Sequence, residues 1–328
     1  MKHDNVLVIG GTGFVGRHLA ARLVAQGRKV LVPTRHIAKA RPLILLPTVD
    51  AVEADVHDSA ALRRLLEGQD AVINLVGILH DKPVGARSVL RYGKGFAAAH
   101  VELPRRLAAA CAEMGVARLV HMSALGAAAA APSMYLRSKA DGEAAVLGQA
   151  GLAATVFRPS VIFGPDDSFL NLFARLLRLF PVMPLAGATA RFAPVYVGDV
   201  ARAMDLALDV PDTRGAVIEL AGPREYTLHE LVALAGQWSG HRRPIIDLPP
   251  ALGRLQTWVI EHLPGPTLMS RDNLDSMRVP NVATQPLAPA LARALEFDWP
   301  APLEEIAPHY LSGQSLEGRY DHYRRSPG

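Results

Sequence analysis

The run Val6-Leu7-Val8-Ile9, passing at once into Gly10-Gly11-Thr12-Gly13-Phe14-Val15-Gly16, leaves few folds open to this chain. Four consecutive β-favouring apolar residues predict a buried strand. Val15, Leu19 and Leu23 then recur at helical spacing, and Gly27 is a natural stop. The chain therefore reads as strand, tight turn, helix. In the triplet Gly10, Gly13, Gly16 each glycine omits a side chain for a physical reason. One lets the backbone turn sharply, one lets a pyrophosphate touch the main chain, and one lets the helix lie close on the strand. Gly11, Thr12, Phe14 and Val15 complete the loop, and the helix N-terminus offers N–H groups and a partial positive charge to phosphates.

With 328 residues, half of them apolar, a folded protein of one or two domains is expected. Cys111 is the only cysteine, which excludes an internal disulfide and suits a reducing compartment. Lys2-His-Asp-Asn5 leads straight into the first strand with no room for a signal peptide, and no run of about 18 uncharged apolar residues follows. The expected location is cytoplasmic, with room for peripheral contact at the inner face of the membrane. The net charge of +4 comes from scattered arginines, and aromatics, at 6%, do not interleave with them, so no nucleic-acid surface is expected. Histidines do not fall at ligand spacing, so no metal site is expected.

Lys29–Val32 reads as the second strand, ending in Pro33-Thr34-Arg35-His36. In a dinucleotide fold a carboxylate here would bind the ribose 2′-hydroxyl of NAD. None is present. Arg35 offers a bidentate donor to a 2′-phosphate, which favours NADP(H) over NAD(H). Val49–Ala54 makes a third strand with Asp55 and Val56 at its end, where Asp55 suits an adenine amine and an ordinary loop equally. Asp58 caps a helix carrying Leu62, Leu65 and Leu66 that stops at Gly68. Ala71–Leu75 is the fourth strand, and Val76-Gly77 lets the chain pass close to the cofactor. A loop with Lys82, Arg87, Arg91 and Lys94, read as a solvated basic loop, precedes a helix from His100 to Met114. Arg118–Met122 is the fifth strand, closed by Ser123. Strands alternating with helices at this spacing predict an α/β fold, a doubly wound parallel sheet of the Rossmann type.

Tyr135 and Lys139 stand four apart at the start of a predicted helix, which places phenol and ammonium on one face. The other lysines are Lys2, Lys29, Lys39, Lys82 and Lys94, so a chain that prefers arginine spends its last lysine here. A free phenol titrates near 10, and acid–base work at neutral pH requires lowering it by about 2 to 3 units; a neighbouring ammonium supplies such a field. Ser123, at a strand's carboxyl end, is placed to hydrogen-bond a substrate oxygen where charge develops.

The turn at Gly10–Gly16, Ser123 and Tyr135-Leu-Arg-Ser-Lys139 resemble those of the extended short-chain dehydrogenase/reductases. Within that superfamily the chain is similar to the atypical branch that holds the NADPH-binding accessory subunit of respiratory complex I and its bacterial relatives. The match is carried by His121–Gly126, Tyr135–Glu143, Arg158–Asp167, Met269–Asn273 and Asn281-Val282. The resemblance implies that Gly10, Gly13 and Gly16 hold the pyrophosphate, Arg35 the 2′-phosphate, and Tyr135 and Lys139 the nicotinamide ribose. It also implies that Pro159 and Ser160, after the sixth strand, back the nicotinamide ring. The complex I subunit is regarded as structural, so the resemblance leaves open both an oxidoreductase and a nucleotide-stabilised assembly protein.

Residues 1–165 are expected to form the dinucleotide-binding domain, with 190–222 returning to it, 166–311 a smaller substrate-side region, and 312–328 a loose polar tail with Arg319, Arg324 and Arg325. Phe192–Val197 reads as a strand and Asp199 as a helix cap. The segment Phe169–Leu185 is apolar and reads for much of its length as a helix ending at Pro181, better suited to a core than to a lid or a membrane contact. Leu255, Trp258, Val259 and Leu263 read as packing. The leading expectation is hydride transfer to or from a carbonyl or hydroxyl of an apolar, quinone-related small molecule. A respiratory or quinone-synthesis assembly protein is the rival, and a sugar-nucleotide epimerase or dehydratase fits the apolar second half less well. Oligomeric state is not legible.

Overall fold

The protein's structure, a computed structural model, describes residues 3–82, 91–262 and 269–312. The chain divides into two compact units. The first comprises Met1–Pro159, Gly198–Leu220 and Thr284–Asp298, the second Ser160–Val197, Ala221–Ala283 and Trp299–Gly328. The return to the first unit thus begins at 198 rather than 190, and 284–298 rejoin it as well, because contacts rather than sequence proximity decide membership.

The first unit is built on a seven-stranded sheet. Its strands are β1 (Asn5–Ile9), β2 (Lys29–Thr34), β3 (Val49–Glu53), β4 (Ala71–Asn74), β5 (Arg118–Met122), β6 (Ala153–Pro159) and a last strand, Val217–Leu220. They lie in the order Val217–Leu220, β6, β5, β4, β1, β2, β3, every neighbouring pair parallel. β1, β4 and β5 are buried almost end to end, as parallel strands covered on both faces must be, and β1 and β4 read as largely apolar runs while β5 buries Arg118 and His121 as well. The chain runs outward from β1 to β3, then crosses back to β4 beside β1. That reversal opens a crevice at the carboxyl ends of β1 and β4.

Helix α1 (Phe14–Ala25) follows β1 and buries Gly16, Leu19, Ala20 and Leu23. In α2 (Ser59–Leu66) the Asp58 carboxylate caps the first turn by accepting from the Ala60 N–H at 3.0 Å. The next helical stretch starts six residues before His100. It comprises α3 (Lys94–Phe96), a π-helical turn (Ala97–Glu102) and α4 (Leu103–Met114). The cap comes from a distance, since Asp81 accepts the Phe96 N–H at 2.7 Å, and local sequence does not display it. Helix α5 (Met134–Leu147) begins behind Ser133, whose hydroxyl accepts from the Leu136 N–H at 3.2 Å. Strand β2 runs on through Pro33 because β1 pairs with it only as far as Leu31, so the missing N–H of proline costs no ladder bond on that side.

In the second unit the expected strand Phe192–Val197 is broken by Pro194. Arg191–Phe192 pairs antiparallel with Tyr226–Thr227, and Val195–Tyr196 pairs parallel with Ile162–Phe163. Val197 already opens the next helix, Val197–Ala207, so Asp199 lies inside its first turn, where it pairs with Arg202, rather than at the cap position. Helix Leu170–Leu179 is a core element: Leu170 and Leu177 are buried with Leu228, Leu231, Val232 and Ala235. Helix Pro250–Glu261 departs from expectation. Its inward residues are Gly253 and Thr257, with Gln256 donating to the Pro184 carbonyl at 2.9 Å, while Leu252, Leu255, Trp258 and Val259 point outward. Leu263, Arg87 and the tail arginines lie outside the described residues.

The first unit is also held by a buried ion cluster. Asp205, 1% exposed, accepts from Arg28 at 2.9 Å and Arg22 at 3.1 Å, and Arg28 reaches Asp209 at 2.9 Å. Removing one partner of such a set strands the other charge in a poorly solvated site. Asp205→Ala is expected to lower unfolding free energy by about 3 kcal/mol in urea titration, with little change in m-value.

Candidate functional site

Gly10 has φ of +84°, a conformation that side chains rarely adopt, and it ends β1 where the backbone passes Leu75 and Val76. A Cβ there would lie 3.2 Å from the Leu75 carbonyl carbon and 3.3 Å from the Val76 nitrogen. At Gly16 a Cβ would meet the Gly10 oxygen and the Gly11 Cα at 2.5 Å, so α1 sits this close to the turn only without a side chain. Gly13 is different: exposed, it caps α1 in extended conformation with no side-chain cap, and the first turn carries no acidic residue. Its Cβ would meet the Gly10 oxygen at 3.3 Å and no other neighbour within 4 Å. The first turn of α1 thus has neither a side-chain cap from Gly13 nor an acidic residue of its own to answer its N–H groups.

Around this loop, Arg35 stands exposed just beyond β2. Asp55 is exposed beyond β3, and one of its oxygens accepts the His57 N–H at 3.0 Å in a local turn, while Val56 packs on the apolar core. Val76 and Gly77 follow β4, and a Cβ on Gly77 would lie 3.3 Å from Lys139 Nζ and 3.7 Å from His100 Nε2. The nucleotide loop and Lys139 are thus brought together at the carboxyl ends of β1, β4 and β5.

Ser123 follows β5 directly. Its N–H donates to the Phe157 carbonyl at 2.7 Å, and its buried hydroxyl has no hydrogen-bond partner among the described residues. Leaving such a hydroxyl buried and unpaired costs about 1–3 kcal/mol, so a group from outside the chain is the natural partner. Next to it, Lys139 Nζ donates to the Met122 carbonyl at 3.0 Å. Burial lowers this ammonium's pKa to about 8, with Glu143 opposing the shift. Glu143 is itself gripped by Arg158 through contacts of 2.8 and 2.6 Å.

Tyr135 is half-buried one turn before Lys139, and burial pushes its phenol up to about 12. This is opposite in direction to the lowering expected from the sequence. Desolvation of the phenolate raises it, while the Lys139 ammonium is turned to a backbone carbonyl. Pro159 is the last residue of β6 rather than beyond it. Ser160, which begins the second unit, donates its hydroxyl to Asn281, whose Oδ1 lies at 2.7 Å and carbonyl at 2.9 Å, so that side chain is already engaged. Asn281 also accepts from the Val161 N–H at 2.8 Å.

Three polar residues escaped sequence reasoning: Asn74, His100 and His121, respectively 0%, 1% and 1% exposed. Asn74 Oδ1 accepts the Val76 N–H at 3.2 Å, and its amide nitrogen faces His121 Nδ1 at 3.1 Å. His100 accepts the Ile78 N–H at 3.0 Å. Burial and the charge of Lys139 depress both imidazoles, His100 to about 2 and His121 to about 3, so both are neutral. The histidines are scattered in sequence, and only the sheet brings this pair together.

The arrangement is a glycine turn at a helix N-terminus beside a hydroxyl unpaired among the described residues, a phenol and an ammonium. The model of the NAD dependent epimerase/dehydratase family matches residues 6–221. The chain belongs to this family. The mitochondrial NADH dehydrogenase (ubiquinone) 1 alpha subcomplex subunit 9 of Arabidopsis thaliana is 30% identical over 325 residues, covering 94% of this chain and 76% of the relative. Its Mus musculus counterpart is 35% identical over 231 residues, 69% of this chain, which spans only 58% of that relative's length. A ceramide reductase of Caulobacter vibrioides is 32% identical over 247 residues, 74% of this chain and 73% of the relative. Among solved structures, an epimerase of Methanothermobacter thermautotrophicus superposes with a TM-score of 0.76 at 16% identity, covering 99% of this chain and 95% of that one. The UDP-glucuronic acid 4-epimerase of Bacillus cereus, solved with UDP-glucuronic acid and NAD, gives 0.68 at 19% identity over 94% and 98%. At such identities these structures establish the fold alone.

Within this family member, Lys139 carries a linkage signature. Its folded pKa, about 8, lies below the 10.5 of a free lysine side chain, so between those values the unfolded chain binds more protons and folding becomes more favourable as pH rises. The burden of the buried charge is fully present below pH 8. Lys139→Met is therefore expected to gain stability over wild type at pH 7, with the difference shrinking toward pH 10, as read by chemical denaturation across that range.

Proposed function

We propose that this protein binds NADP(H) in the cradle of the first unit and transfers hydride between it and a carbonyl or hydroxyl carbon of an apolar small molecule. The observation that carries the reading is the buried Ser123 hydroxyl, unpaired at the end of β5 beside the carbonyl that Lys139 holds. Gly13 and the α1 N-terminus would receive the pyrophosphate, with Gly10 and Gly16 allowing the turn. Arg35 would take the 2′-phosphate, Lys139 with Tyr135 the nicotinamide ribose, and Val76-Gly77 and Pro159 the nicotinamide side. Thr12, Phe14, Val15, Asp55 and Val56 would complete the walls. Ser160 joins this set only through its backbone, since its hydroxyl belongs to Asn281.

The nucleotide, when bound, supplies the hydride and, in its oxidised form, a positive charge. In the reducing direction Tyr135 would give its proton to the substrate's carbonyl oxygen, and Ser123 would donate a hydrogen bond to that oxygen as charge grows on it. Lys139 stabilises the phenolate left behind. Because the protein alone raises the phenol toward 12, Tyr135 holds its proton firmly until a second positive charge stands beside it.

The ceramide reductase relative favours a long-chain lipid or quinone-like carbonyl compound as substrate class. A second reading, a nucleotide-stabilised subunit or assembly protein at a membrane complex, is favoured by the outward apolar face of Pro250–Glu261. There Leu252, Leu255, Trp258 and Val259 are 45–56% exposed, a surface suited to a protein or membrane partner. In that case a cytoplasmic protein attaches peripherally to the inner membrane face. A sugar-nucleotide substrate has only fold likeness behind it.

The two readings part on turnover. NADPH absorbance is followed with a detergent extract of membrane lipids and quinones, wild type beside Tyr135→Phe. Oxidation by wild type, reduced at least about 100-fold in the variant, supports the enzyme. Tight binding without consumption by either protein transfers support to the structural role. Arg35→Ala is expected to weaken NADPH about tenfold while leaving NADH affinity unchanged, measured by calorimetry.

A further inference from the structure

We propose that His100 is a positioning residue for both the nucleotide loop and Tyr135, clamping the backbone after β4 to the first turn of α5 through its two ring nitrogens. The functional consequence rests on the NADP(H) reading above; the clamp itself is independent of it.

His100 sits in the π-helical turn Ala97–Glu102, a rare distortion that re-aims a side chain within a helix and recurs at functional sites. Its bonding leaves one consistent arrangement. The Ile78 N–H can only donate, so His100 Nε2 accepts it at 3.0 Å and the ring proton resides on Nδ1. Nδ1 then donates to Ser138 Oγ at 2.8 Å, and the Ser138 hydroxyl in turn donates a hydrogen bond to the Tyr135 carbonyl at 2.7 Å. The ring stacks on Phe96 with centroids 5.2 Å apart and meets the Tyr135 ring edge-on at 5.5 Å. One imidazole therefore touches Tyr135 through its aromatic face and, by way of Ser138, through its backbone.

The other end of the same loop is fixed by a parallel device. Asn74 Oδ1 takes the Val76 N–H, which turns the Asn74 amide nitrogen toward His121 Nδ1. Val76 and Ile78 are thus pinned on either side of Gly77, the residue whose absent Cβ leaves Lys139 and His100 room. The charged or titratable groups facing His100 are Lys139, His121 and the Tyr135 phenol, and the first two disfavour its protonation. A neutral ring is what the clamp requires, because an imidazolium would turn an N–H against the Ile78 N–H.

The test has a spectroscopic and a binding arm. In ¹⁵N-histidine-labelled protein without nucleotide, His100 is expected to show the Nδ1–H tautomer, unchanged from pH 8 to pH 5. An Nε2–H signal, or titration in that range, overturns the clamp. NADPH titrations by fluorescence then compare wild type, His100→Phe, His100→Gln and Ser138→Ala. Phe keeps the ring without its bonds and is expected to weaken binding about tenfold; Gln, with an acceptor and a donor, recovers most of it. Ser138→Ala is expected to weaken binding in the same direction and to add nothing to His100→Phe. Wild-type affinity in His100→Phe, or additive losses, would overturn the positioning role. Failure of wild type itself to bind NADPH would sink the nucleotide reading instead, with the tautomer spectrum still deciding the clamp. Should His100→Phe not fold, Ser138→Ala and that spectrum carry the decision.

Discussion

The contact on which the rest of the site depends is the one between Gly16 and the turn it packs against. A Cβ at that position would stand 2.5 Å from the Gly10 oxygen, so the first turn of α1 lies against the end of β1 only because residue 16 has no side chain. This proximity aims the N-terminus of α1 along the carboxyl edge of the sheet. It also seats Gly10 against Leu75 and Val76, which joins the glycine turn to the loop after β4. From there the connection runs through Val76 and Ile78 to Asn74, His121 and His100, and through Ser138 to Tyr135.

The chemistry of the site follows from what burial does to charge. Lys139 is shifted down and Tyr135 up, each toward its neutral form, and both imidazoles are held neutral. In such a medium a charge arriving from outside is felt more strongly than in water, because few solvent dipoles are left to answer it. The neutral state of the histidines is as much a part of this as the charge of the lysine. It lets His100 accept a backbone amide and His121 face the Asn74 side-chain amide.

Local pattern was enough where a residue's role depends on its immediate neighbours. Asp58 and Gly68 delimit α2, Ser123 follows β5, and Tyr135 and Lys139 share one face of α5 because four residues make about one turn. It failed where a partner arrives from elsewhere. The early start of the Lys94–Met114 stretch needs Asp81, and Pro194 divides a strand whose composition reads as continuous. Leu255, Trp258 and Val259 are periodic and apolar, yet periodicity says only that they share a face, not what that face meets.

From its sequence alone this chain determined the parallel, doubly wound sheet, the glycine turn that opens it, the family, and the placing of Tyr135 and Lys139, because strand and helix periods and missing side chains are local properties. Tertiary structure alone decided that Ser123 is left unpaired among the described residues, that Ser160 is spent on Asn281, and that the Tyr135 phenol rises rather than falls. It also decided that His100 and His121, 21 positions apart, converge on one loop. Desolvation and hydrogen-bond partnership depend on groups brought together from distant positions, and no window of sequence contains them.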